Sequence, residues 1–105
     1  MIFWITGRAG SGKTTLAHKI AKQIDGVVID GDDVRKQFPD DFTDEGRERN
    51  QRRIVAMALK HNGNVVIACV SYKRGLRKEL QAMLPGCIEI QLPFGTLWED
   101  TEYEE

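Results

Sequence analysis

Apolar residues along this chain fall into short solid runs, separated by longer stretches in which they recur every three or four positions. The runs "IFWIT" (2–6), "VVI" (27–29), "NVVIACV" (64–70) and "CIEIQL" (87–92) are bulky and β-prone, so each predicts a strand. "NVVIACV" is apolar throughout, as a strand covered on both faces requires, whereas "CIEIQL" alternates in part. In "TTLAHKIAKQI" (14–24), Leu16, Ile20 and Ile24 stand four apart on one helix face, and Gly26 is placed to end that helix. Residues 44–61 hold the longest helical pattern, with Thr43 or Asp44 to cap it and Gly63 to terminate it. "RGLRKELQAML" (74–84) sets Leu76, Leu80 and Leu84 on one face before Pro85-Gly86 breaks it. "DGDD" (30–33) reads as the turn after the second strand, and the acidic stretch "PFGTLWEDTEYEE" (93–105) shows no period.

Strands alternating with helices predict an α/β domain with a parallel sheet of about four strands flanked by helices. A chain of 105 residues suits one domain, 1–105. Apolar residues at 41% and charged residues at 30% exclude a disordered chain. A net charge of −1 gives no global attraction to nucleic acid or anionic lipid, so any basic site must be local. No run is long enough to span a membrane, and Met1 leads straight into a strand, so a cytoplasmic chain without a signal peptide is expected. Cys69 and Cys87 lie far apart in apolar runs, which reads as buried thiols in a reducing compartment rather than a disulfide or a metal site.

The first loop carries the strongest chemistry. "GRAGSGKT" (7–14) fits G-x-x-x-x-G-K-[ST] between a predicted strand and a predicted helix, so the fold expected is the three-layer P-loop NTPase type. Gly7, Gly10 and Gly12 permit turns that a Cβ would forbid and aim N–H groups inward. The helix opening near Lys13 adds its positive end, and Lys13 adds a point charge for the outer phosphates. Residues Gly7, Arg8, Ala9, Gly10, Ser11, Gly12, Lys13, Thr14 and Thr15 are therefore expected to hold ATP or GTP, with the Thr14 hydroxyl sized for Mg2+.

Ligands of parallel sheets gather at the carboxyl ends of the strands, where Asp30, Asp32 and Asp33 follow the second strand. A carboxylate there can orient a metal-bound water or take a proton from an acceptor hydroxyl; Asp32 or Asp33 could instead cap the next short helix. Asp30 and Asp32 would face alike if the chain stays extended, and beside a phosphate loop Asp32 is favoured for chemistry. The third strand ends without an aspartate, which argues against motor and switch ATPases and towards small-molecule kinases. On the long helix Arg47, Asn50, Ile54, Met57 and His61 share one stripe, which turns Arg47 and Asn50 towards the protein. A buried Arg47 needs an anionic substrate or an ion pair with the acidic turn. Arg49, Arg52 and Arg53 point elsewhere and read as a solvated face. Ser71 ends the third strand on the same edge, or caps the helix opened by Lys73, Arg74 and Arg77. His18 and His61 have no metal partner at useful spacing.

With these residues in view, the chain resembles the adenylylsulfate kinases, which pass the γ-phosphoryl of ATP to the 3′-hydroxyl of adenosine 5′-phosphosulfate. "GRAGSGKTTLA" is similar to their phosphate loop, and "IDGDDVR" (29–35) to their D-G-D-x-[VI]-R element. "FTDEGRERNQRR" (42–53) resembles F-S-x-x-D-R-x-x-N-x-R-R, and "VSYKRGLR" (70–77) resembles I-S-P-Y-x-x-x-R. The resemblance implies ATP and Mg2+ at Lys13 and Thr14, with Asp30 and Asp32 flanking the acceptor hydroxyl. It also implies Arg35 at the phosphosulfate end, Phe42 stacked on the acceptor's adenine, and Arg47, Asn50, Val70 and Ser71 around the acceptor. Two departures stand out: Tyr72 replaces the family's proline, and acidic 93–105 stands where a basic lid is expected. "EYEE" is similar to the Tyr-Glu segment that follows that lid.

The reading is therefore a phosphotransferase with a small-molecule acceptor and no membrane partner; nucleic acid is disfavoured by charge, and a homodimer is left open. Its rivals are a kinase of another hydroxyl, such as a nucleoside or a polynucleotide 5′ end clamped by Arg35, Arg47 and Arg77, and a non-catalytic nucleotide-binding module.

Overall fold

A computed structural model describes residues 1–8, 11–92 and 103–104. The expectations for Ala9, Gly10, most of the acidic stretch (93–102) and Glu105 lie outside the described residues. In chain order the elements are β1 (Ile2–Gly7), α1 (Lys13–Ile24), β2 (Val27–Asp30), α2 (Gly31–Gln37), α3 (Asp44–Lys60), β3 (Val65–Ala68), α4 (Arg74–Ala82) and β4 (Ile88–Leu92). The strands form one parallel sheet in the order β2-β3-β1-β4. The strand that feeds the phosphate loop is thus interior, as expected of this fold.

Strand residues alternate between two cores. Trp4, Ile29, Val65 and Ile67 face one side, where Val34 of α2, Ile54, Val55 and Ala58 of α3 and Leu80 of α4 cover them. Ile5, Val66 and Ala68 face the other, covered by α1. Ala17 and Ala21 are the buried residues of that helix, and their small side chains let it lie close to the sheet. Leu16, Ile20 and Ile24 flank them half-buried. Helix, sheet and helix make three layers, and the apolar runs of β1 and β3 follow from being covered twice. Each fully buried Ile or Leu contributes roughly 1.5–3 kcal/mol. Among the described residues no helix is long and apolar enough to cross a membrane.

Several boundaries differ from the sequence expectation. "DGDD" is the start of a helix, α2, whose N-cap is Asp30 rather than Asp32 or Asp33. Seven residues are too few to show a helical period. The left-handed residue ending α1 is Asp25 (φ 53°), not Gly26. Gly26 is required by crowding instead, since a Cβ there would stand 2.9 Å from the Asn64 carbonyl oxygen. β3 stops at Ala68 rather than 70, and α4 at Ala82 rather than 84. On α3 the inward stripe holds through Ile54 and Ala58, whereas Leu59 is half-exposed and His61 is exposed beyond the helix end. Thr43 is the α3 cap, its hydroxyl accepting from the Gly46 N–H at 3.1 Å.

Candidate active site

The register puts Asp30 of β2 beside Ala68 of β3, and Ala68 beside Ile5 of β1, so the loops after three strands open on one sheet edge. A cavity of about 770 Å³ lies there. Its floor at one end is the phosphate loop. Gly7 (φ 151°) could not carry a Cβ, which would meet the Leu92 carbonyl oxygen at 2.9 Å. Gly12 (φ 90°) precedes α1 without a side-chain cap, so the first N–H groups of the helix remain open to an anion. Gly12, Lys13, Thr14 and Thr15 line the cavity, while Gly7, Arg8 and Ser11 shape the loop behind it. The Lys13 ammonium donates to the Arg8 carbonyl at 2.9 Å. Burial pulls its pKa down, opposed by Cys69, Asp32 and Asp30.

Asp30 joins this floor to the wall. One carboxylate oxygen accepts the Asp32 N–H at 2.8 Å and caps α2; the other accepts the Thr14 hydroxyl at 2.6 Å. The extended chain that would have aligned Asp30 and Asp32 is absent, yet both line the cavity, because the first turn of α2 carries Asp32 round to the same side. Gly31 between them keeps the turn close, since a Cβ there would stand 3.3 Å from the Cys69 sulfur. The Thr14 hydroxyl and the two carboxylates are oxygen donors of the kind a hard divalent cation takes. Among the described residues no cluster of three His, Cys, Asp or Glu side chains could hold a metal by itself.

The opposite wall comes from separate segments. Arg35 of α2, Phe42 of the loop after it, Arg47 and Asn50 of α3, and Val70 and Ser71 after β3 all line the cavity. Phe42 is 65% exposed, and the Arg35 guanidinium stands 4.2 Å from its ring centroid. Arg47 lies between two rings, 5.9 Å from Phe42 and 4.9 Å from Tyr72. Asn50 is buried and donates to the Gly31 carbonyl at 3.2 Å, which leaves its side-chain oxygen without a partner among the described residues. The buried oxygen of Gln51 is in the same position.

Gln51, Cys69 and Tyr72 are wall residues that sequence reasoning missed. Gln51 had a signal, since it follows Arg47 by four and belongs to the same helix face. Cys69 and Tyr72 flank Val70 and Ser71 at the strand end. The Tyr72 hydroxyl donates to Asp44, which also accepts from the Lys73 ammonium. Cys69 and Cys87 are both free thiols; burial pushes Cys69 up, and burial with Glu89 nearby pushes Cys87 to about 11.

Two expectations are corrected. Arg77 does not face the cavity: it is fully buried, and its Nε donates to the Glu89 carboxylate at 2.9 Å. Ser71 does not cap α4; the N-cap position is Lys73, and the Arg74 N–H is satisfied by the Glu104 carboxylate at 2.8 Å. Arg49 and Arg52 are exposed, as expected, and pair with Asp40 and with Glu48 and Glu79; Arg53, which also pairs with Asp40, is half-buried instead. His18 and His61 are exposed and do not line the cavity.

Known proteins resemble this chain in sequence and in fold. A protein of Pyrococcus abyssi described as a probable adenylyl-sulfate kinase is 43% identical over 82 residues, which is 68% of this chain and 47% of that protein. The hexameric APS kinase of Thiobacillus denitrificans superposes with a TM-score of 0.75 at 29% identity, over 86% of this chain and 21% of that one. A gluconokinase of Sinorhizobium meliloti superposes with a TM-score of 0.70 at 25% identity, over 85% and 55%. The chain spans about half the length of the curated relatives it matches. A family model described as adenylylsulphate kinase matches residues 1–103, which takes in the phosphate loop, the acidic turn and the whole opposite wall. On that match the chain, a P-loop α/β protein, belongs to the adenylylsulfate kinase family.

Proposed function

We propose that this chain is a kinase that transfers the γ-phosphoryl of Mg-ATP to the 3′-hydroxyl of adenosine 5′-phosphosulfate. The observation that carries the reading is one cavity running from the open helix terminus at Lys13, past Asp30 and Asp32, to the wall of Arg35, Phe42 and Arg47. A phosphate tail at one end and a base at the other would meet at the aspartates. Catalysis here is positioning plus charge neutralisation.

Lys13 and the α1 amides would bind and orient the outer phosphates. Thr14, with Asp30 accepting its hydroxyl proton, would hold the Mg2+. When bound, that ion supplies neutralisation of the charge on the transferred group. Asp32, on the free first turn of α2, would accept the proton from the attacking hydroxyl, while Asp30 is committed to its two hydrogen bonds. Phe42 offers a face for stacking the acceptor's base, worth about 1–3 kcal/mol. Arg35 and Arg47 would hold the phosphosulfate end. The oxygens of Asn50 and Gln51, unpartnered among the described residues, are buried acceptors that a ligand's N–H or O–H donors would satisfy.

Transfer of radiolabel from γ-labelled ATP to a panel of acceptors tests this. Label on adenosine 5′-phosphosulfate, and none on AMP, gluconate or oligonucleotide 5′ ends, is expected. Label on gluconate or on oligonucleotide ends alone would replace the acceptor. Mg-ATP binding without turnover on any acceptor would replace the kinase reading by a binding module.

A further inference from the structure

Beyond Ala68 the chain leaves the sheet, with the Cys69 N–H making a bond back to the Ile5 carbonyl at 3.1 Å. The next three residues, Val70, Ser71 and Tyr72, line the acceptor side of the cavity. Their three carbonyls are each taken by a donor from a different part of the molecule. The Thr6 hydroxyl of β1 donates to Val70 at 2.7 Å. Nη1 of Arg77 in α4 donates to Ser71 at 2.7 Å. The Glu104 N–H donates to Tyr72 at 2.7 Å. Ser71 in the middle sits at φ 45°, a region that residues with a Cβ rarely adopt unless their surroundings enforce it.

The donors are themselves tied together. Thr6 has one hydroxyl hydrogen, already given to Val70, so in its 3.1 Å contact with Tyr103 the phenol is the donor. Arg77 is fully buried, with its guanidinium 5.0 Å from the Tyr103 ring centroid. Its Nη2 donates to the Glu104 carbonyl at 2.7 Å, and its charge is answered by Glu89. The Glu104 carboxylate takes the Arg74 N–H at the start of α4. Arg77 is thus a main-chain clamp, its donors aimed mostly at carbonyls rather than at a ligand.

We propose that Arg77, Tyr103 and Glu104 are positioning residues for the acceptor: with Thr6 they hold the backbone of 70–72 from behind, so that its front meets the second ligand at a fixed distance from the phosphate loop. This rests on the acceptor reading proposed above. The donor end, built on Gly12, Lys13 and Thr14, receives none of these bonds.

The probe is Glu104→Pro, which removes the N–H given to Tyr72 together with the carboxylate that takes the Arg74 N–H, the second loss being shared with the Glu104→Ala control. It is combined with Tyr103→Phe, which removes only the hydroxyl. Two measurements are made on the full chain: hydrogen exchange without ligand, and KM for each substrate. Exchange across 69–74 is expected to rise while α1 stays protected. Loss of these bonds should raise KM for adenosine 5′-phosphosulfate about five- to ten-fold and move KM for ATP less than about two-fold. Glu104→Ala, which keeps the N–H, should recover most of the acceptor affinity, and Arg77→Lys should fall between. Equal rises in both KM values, or raised exchange with an unchanged acceptor KM, would overturn the proposal. If the wild-type chain puts no label on adenosine 5′-phosphosulfate, the reaction proposed above fails by itself. Unchanged protection at 69–74 in Glu104→Pro would sink the clamp whatever the acceptor is.

Discussion

The two ends of the cavity are built by different means. The proposed phosphate end comes from one stretch of sequence, its described residues shaped by backbone torsion at Gly7 and Gly12 and by the open start of α1. The proposed acceptor end gathers α2, the loop at Phe42, α3 and the segment after β3, with side chains stacked and clamped across long sequence separations. On the proposed reading, the chemistry of the first end would hinge on one side chain, Lys13. That of the second would be spread over several contacts.

That contrast sets a graded series of tests. The largest effect is expected from Lys13→Ala, which removes the point charge at the phosphates: kcat/KM should fall on the order of 10³-fold, with little change in thermal midpoint. Steady-state rates beside a melting curve check both halves of the statement. Asp32→Asn comes next. It should lower kcat about 10²-fold or more with both KM values nearly unchanged. Asp30→Ala should differ in kind, since it removes the α2 cap and costs about 1 kcal/mol of stability as well, read by denaturant titration. At the acceptor end Phe42→Ala should raise the acceptor KM roughly ten-fold and leave ATP affinity alone, which calorimetry with each ligand separately would show.

The smallest effect is a pH dependence behind the acceptor wall. Burial pulls the Glu89 pKa up, but hydrogen bonds from Gln81 and Lys78 and the charges of Lys78 and Arg77 outweigh it, so the carboxyl lies below the usual range. A carboxylate whose folded pKa is depressed stabilises fully above its unfolded value of about 4.3 and loses that contribution as pH falls through the folded value. Urea midpoints should therefore drop as pH falls below about 4.3, and Glu89→Gln should flatten that drop.

How legible each end was follows from the same contrast. The strands and long helices could be read because uninterrupted apolar runs and three-four spacing survive in any context, and the phosphate loop because its residues are consecutive. α2 was legible only as an alternative to a turn because its seven residues bury little besides Val34, and its start is fixed by a hydrogen bond to one aspartate rather than by a period. Gln51 was passed over although Arg47 pointed to it. Arg77 was misread for a deeper reason. A basic residue in the first turns of a helix looks like an anion ligand, whereas its real partners are Glu89 and two main-chain carbonyls, and carbonyls leave no mark in a sequence.

The double engagement of Asp30 carries a thermodynamic corollary. A nucleotide that draws the Thr14 hydroxyl towards itself alters the same carboxylate that anchors the turn bearing Asp32 and, one turn on, Arg35. Under the proposed reaction, occupancy at one end would be linked to affinity at the other, and linkage is reciprocal: the factor by which Mg-ADP changes acceptor binding would equal the factor by which acceptor changes Mg-ADP binding. Asp30→Asn, which weakens both hydrogen bonds, should bring that factor towards unity.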